Sequence, residues 1–155
     1  MIKIQALYGE LFYFCLLQSE IRYTLGSAER LKSRKAIELL FASGKSFSLF
    51  PFRITWQLQP AVPGAACCLQ AAFSVSKRYF KKATHRNRIK RLMKETYRLQ
   101  KPALIQQLQQ KNQQMQVFLV YTGNDLPEHL LLKEKTGAVI RRLQKILHEE
   151  TASHT

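Results

Sequence analysis

Acid is what this chain has least of. Ten Asp and Glu stand against 25 Lys and Arg, which leaves a formal net charge of +15 over 155 residues and a pI near 10.1. No two carboxylates are placed as a general acid–base pair, and His85, His129, His148 and His154 are scattered with no Ser-His-Asp or Cys-His grouping. A catalytic site borne by protein side chains is therefore not expected. Cysteine is scarce too. Cys15, Cys67 and Cys68 form an odd set with one adjacent pair, no C-x-x-C and no histidine at zinc-ligand spacing. They read as reduced core thiols of a cytoplasmic protein, and no metal site follows from them. Long apolar runs are missing as well. The run at residues 11–17 is too short to span a membrane and follows Glu10. With Lys3 the only basic residue ahead of it and no small-residue cleavage site, it is also a poor signal peptide. No internal repeat is visible.

What is present is a globular composition with a positive bias. At 46% hydrophobic residues the chain suits one domain with a moderate core and does not read as disordered. Its charge asks for a polyanion, either nucleic acid or an anionic membrane. That charge is concentrated in residues 77–101, KRYFKKATHRNRIKRLMKETYRLQK. There Lys77, Arg78, Lys81, Lys82, Arg86, Arg88, Lys90, Arg91, Lys94, Arg98 and Lys101 are opposed by Glu95 alone, so the window carries ten of the fifteen net charges. From about Ala83 onward Ile89, Leu92, Met93, Thr96 and Tyr97 recur at i, i+3, i+4, i+7 and i+8, the stripe of a helix packed on one face. Asn87, Lys90, Arg91, Lys94 and Arg98 fall on the opposite side, with Arg86 and Arg88 towards its flanks. A merely solvated face usually mixes signs, whereas this one stacks like charges at roughly 0.2–0.5 kcal/mol per pair. An external anion would relieve that repulsion.

Along the chain, residues 1–20 read as an extension outside the domain, either a small extra helix or, the reading preferred here, upstream sequence from a misassigned start. Residues 21–150 form the domain, and residues 151–155 a frayed tail, with fraying expected from His148. From Arg30 the pattern turns helical, with Leu31, Ala36, Ile37, Leu40 and Phe41 as its stripe, Ser27 as N-cap and Gly44 as the stop. Phe52, Ile54 and Trp56 alternate with Arg53 and Thr55 as a strand, and residues 59–64 carry turn chemistry. Residues 65–76 predict a second strand, and 117–122 a third. Residues 100–114 read as surface material, with Leu104, Ile105 and Leu108 prolonging helical structure past Pro102. The last helix carries Leu132, Thr136, Val139, Ile140, Leu143, Ile146 and Leu147 as its stripe. This order fits an α+β two-layer sandwich.

The basic window also carries a resemblance. Phe73-Ser74-Val75-Ser76-Lys77-Arg78, then Lys81-Lys82-Ala83, then Arg86-Asn87-Arg88-Ile89-Lys90-Arg91-Leu92 resembles the signature of the bacterial ribonuclease P protein subunit, with its Arg-Asn-Arg helix start. A second segment, Arg30-Leu31-Lys32-Ser33-Arg34 through Phe41 to Gly44-Lys45-Ser46-Phe47, resembles that family's first helix and following turn. The resemblance begins near Ile21. It implies a two-layer α/β sandwich in αβββαβα order with a left-handed βαβ crossover, an exception to the usual handedness. The fourth strand it requires is sought near residues 77–80. It further implies a cytoplasmic RNA-binding subunit, one per catalytic RNA, that helps remove the 5′ leader of precursor tRNA. Chemistry would then lie in the RNA, which requires Mg2+; no cofactor is bound by the protein itself. Lys77, Arg78, Lys81, Lys82, Arg86, Asn87, Arg88, Lys90, Arg91 and Lys94 are the expected RNA contacts. Ile37, Phe41 and Arg53 are the expected leader cleft, although Ile37 and Phe41 suit plain core equally well. A non-enzymatic RNA- or DNA-binding protein of ribosomal type is the alternative. A membrane-surface helix fits less well, since the apolar stripe lacks Trp and is needed to cover the sheet.

Overall fold

The structure, a computed structural model, describes residues 23–65 and 67–152. The expectations for residues 1–20, Cys15 and His154 lie outside the described residues.

The first helix, α1, spans Arg34–Ser43, with Ser33 Oγ accepting from Ala36 N at 3.4 Å. It starts later than the sequence suggests, and Ser33, not Ser27, is the cap. The reason is tertiary. Leu31 N donates to Ala71 O at 3.0 Å and Ala71 N to Glu29 O at 2.9 Å, so the backbone around Arg30 is spent as a short bridge along a strand edge. Gly44 does stop the helix. A Cβ there would lie 2.3 Å from Leu40 O and 3.0 Å from Trp56 O, so the chain can turn straight into a strand only with glycine.

That strand is β1, Lys45–Leu49, which the sequence reading treated as turn. It is the missing fourth strand; residues 77–80 form a turn instead, with Phe80 buried. A cis Phe50–Pro51 bond leads to β2, Phe52–Pro60, which pairs antiparallel with β1 and with β4, Gln113–Tyr121. β3, Leu69–Val75, lies parallel to β4, giving the order β1-β2-β4-β3. The crossover from β3 to β4 runs through α2, Ala83–Gln100, and α3, Pro102–Gln110, whose proline sits at the helix start where no amide is needed. Residues 100–114 are therefore not only surface: Leu104 and Leu108 are fully buried, and Gln113 and Gln114 belong to β4. The last helix, α4, spans His129–Ala152 and so continues past His148. All seven residues of its expected stripe are buried.

Strand alternation sorts the sheet into two faces. Phe52, Ile54, Trp56, Leu69, Ala71, Val75, Met115, Val117, Leu119 and Tyr121 form one core with Ile89, Met93 and Tyr97 of α2 and the stripe of α4. The opposite face carries Arg53, Thr55, Ala72, Phe118 and Val120, paired across strands in register, and α1 lies over it through Leu40 and Phe41. The sheet and α2–α4 form the two layers of the expected α+β sandwich, and among the described residues α1 lies alone over the sheet's other face.

Candidate nucleic-acid interface

The apolar stripe of α2 fixes which way its charges point. Ile89, Met93, Thr96 and Tyr97 are buried against sheet and α4, and Leu92 is half-buried. Thr96 tightens the seam, its Oγ1 standing 3.1 Å from Thr136 Oγ1 of α4. Asn87, Arg88, Arg91 and Lys94 are left exposed and Lys90 half-exposed, along a helix roughly 27 Å long at 1.5 Å per residue. Ahead of it Lys77, Arg78, Lys81 and Lys82 are all exposed in the loop entering the helix. Among the described residues, none of these eight cations has an acidic partner. The first turn of α2 holds no acid and Lys82 makes no side-chain cap, so the free amides and positive dipole end reinforce the same sign.

Three basic residues of the window leave the ridge. Arg98 forms a fork with Glu95, at 2.5 and 2.7 Å, and donates to Tyr23 O at 2.9 Å. The guanidinium hydrogen bond holds the Glu95 carboxyl below the usual range for glutamate. Lys101, 1% exposed, turns inward to pair with Glu29 and donates to Thr24 O at 2.5 Å, so it is an anchor for the chain before α1 and no part of the docking surface. Arg86 is half-buried, its Nη1 donating to Phe80 O at 2.8 Å and Lys81 O at 2.6 Å.

A second surface lies across the sheet. Phe41 is 52% exposed on α1, its ring meeting Phe118 edge-on at a centroid distance of 4.9 Å. That exposure excludes plain core for Phe41, while Ile37, one turn earlier, is half-buried. Arg53 is exposed on the same sheet face, opposite Val120 in register. Sequence reasoning missed Phe118; the alternation of Val117, Leu119 and Tyr121 into the core was the signal that Phe118 and Val120 point the other way. α2 packs on one face of the sheet and α1 on the other, so the basic ridge and the aromatic surface are separate.

Other chemistry is sparse. Cys67 and Cys68 are free and half-buried; burial pushes both thiols up, Cys68 to about 11, which keeps them protonated and poorly nucleophilic near neutrality. Among the described residues no group of three or more His, Cys, Asp or Glu side chains could hold a metal ion. Among the same residues no helix is long and apolar enough to cross a membrane.

A mixed α+β domain that presents an uncompensated basic ridge on one side of its sheet and an exposed aromatic surface on the other is a polyanion-docking protein. Residues 25–144 match the family Ribonuclease P, and the chain belongs to that family. It is similar to the ribonuclease P protein component of Porphyromonas gingivalis, 32% identical over 112 residues, covering 72% of this chain and 80% of that one. The component from Chlorobium phaeobacteroides is 29% identical over 129 residues, covering 78% and 88%. In fold it resembles the RNase P proteins of Thermotoga maritima (TM-score 0.57, 21% identity, 74% of this chain and 96% of that one) and Staphylococcus aureus (TM-score 0.57, 16% identity, 74% and 94%).

Proposed function

We propose that the chain is the RNA-binding protein subunit of ribonuclease P and assists a catalytic RNA in endonucleolytic removal of the 5′ leader from precursor tRNA. The observation that carries this is the row of unpaired cations along α2 in a member of this family. Lys77, Arg78, Lys81, Lys82, Asn87, Arg88, Lys90, Arg91 and Lys94 contact phosphates of the catalytic RNA. Each contact releases condensed counterions and offsets the crowding of phosphates that opposes a compact RNA fold. Ile37, Phe41 and Arg53 receive the single-stranded leader, Phe41 offering a ring face for stacking and Arg53 a positive rim. One protein serves one RNA, in the cytoplasm. The scissile bond is handled by the RNA, whose Mg2+ ions supply the activated water. The protein's part is binding, orientation and charge.

The test is cleavage of precursor tRNA by the catalytic RNA at low magnesium, with and without the chain. Faster cleavage at the leader junction is the expected result. Unchanged cleavage, with equal affinity for unrelated RNA and DNA, would instead mark a general basic nucleic-acid binder.

A further inference from the structure

We infer that Arg86 is a positioning residue: its guanidinium clamps the basic loop of residues 77–82 to the start of α2 and does not itself serve as a phosphate ligand. This rests on the RNA-docking role proposed above for that loop. Arg86 lies in the first turn of an 18-residue helix, where the dipole disfavours a cation, and among the described residues no acidic side chain pairs with it. What holds it is backbone. Nη1 donates to Phe80 O at 2.8 Å and to Lys81 O at 2.6 Å, and the residue is half-buried, unlike Asn87 and Arg88 beside it.

The clamped carbonyls sit where the loop needs fixing. Phe80 is 5% exposed, its ring tilted against Tyr121 at 6.0 Å, which anchors the loop to the core by one side chain. Phe80 N donates to Ser76 O and Arg78 N to Ser76 Oγ, both at 3.3 Å, near the long end of such bonds. Lys77, Arg78, Lys81 and Lys82 repel one another across this short connection with no acid among them. A planar guanidinium whose N–H groups reach two consecutive carbonyls holds the loop's last turn against that repulsion, and so sets the spacing of four cations.

The test has two arms. In the free protein, amide hydrogen exchange at Arg78 and Phe80 should quicken in Arg86→Gln while Ile89 to Tyr97 stay protected; unchanged exchange in the loop would overturn the clamp, whatever the RNA result. In the second arm, affinity for the catalytic RNA is measured for Arg86→Gln, for Lys81→Gln/Lys82→Gln, and for all three together. A clamp predicts that Arg86→Gln weakens binding as much as the loop pair and adds less than about twofold on top of it, because contacts acting through one another are not additive. A phosphate ligand predicts independent losses that multiply, and a salt slope flattened by roughly 0.7 to 0.9 for Arg86 alone. Arg86→Lys closes the remaining gap: wild-type RNA affinity in that variant, with the loop exchanging freely, would also overturn the inference. Failure of the wild-type protein to bind the RNA would count against the docking role, leaving the first arm to decide the clamp.

Discussion

Phe41 keeps half of a large apolar ring in water, a cost that the domain does not need for its own packing, since Leu40 beside it is already fully buried beneath α1. Replacing Phe41 by Ala should therefore cost only about 1 kcal/mol of stability, the edge contact with Phe118, and leave the domain folded. It should weaken binding of precursor tRNA with a multi-nucleotide leader by about 1–3 kcal/mol per stacked base, and mature tRNA hardly at all. Equal loss for both RNAs, or loss through unfolding, would move the cleft elsewhere. Lys101 presents the opposite case, a charge wholly withdrawn from solvent onto Glu29, which keeps 19% of its side chain exposed. Glu29→Gln strands a buried ammonium and should cost about 3–5 kcal/mol in urea unfolding. Lys101→Met fills the same space and leaves a carboxylate that can still reach water, so it should cost distinctly less; the reverse order would mean that the pair is not what holds this corner. Nothing local announced it. Lys101 ends a run of like residues, and its partner is 72 positions away.

At the level of elements, α2 acts as a wedge whose inner stripe aims its outer charges. Ile89 is completely buried and Leu92 only half, so Ile89→Ala should cost about 2–5 kcal/mol and Leu92→Ala clearly less, by chemical denaturation. Equal and negligible costs would place α2 off the sheet. Both α2 and α4 were legible because their stripes keep a helical period for several turns, and such patterns survive any tertiary context. β1 was not. Its serines and half-buried Phe47 and Leu49 make a five-residue edge strand with too little apolar signal to separate from a turn. The start of α1 was hidden for a different reason: the residues before Ser33 satisfy their backbone on β3, a choice set by a partner forty residues on and invisible to local propensity.

For the whole molecule, net charge and fold divide the work. The sheet and α1–α4 supply a rigid frame, and the part of the positive surplus that lies in residues 77–94 is held on the outside of that frame. The basic ridge was legible from the sequence because charge and helical period coincide in one stretch. The second surface was only half legible: Ile37, Phe41 and Arg53 could be named, and alternation along β4 turns Phe118 away from the core, but that Phe118 meets Phe41 follows only from how β4 and α1 are placed. The central claim is that the outer face of α2 meets RNA phosphates. It is tested most directly by titrating affinity for the catalytic RNA against salt, for the wild-type chain and for Lys90→Gln/Arg91→Gln of unchanged melting temperature. Two lost phosphate contacts should flatten the log-log slope by roughly 0.7 to 0.9 each and weaken binding most at low salt. Parallel slopes and equal affinities would contradict the account, leaving α2 a solvated helix with no polyanion on it.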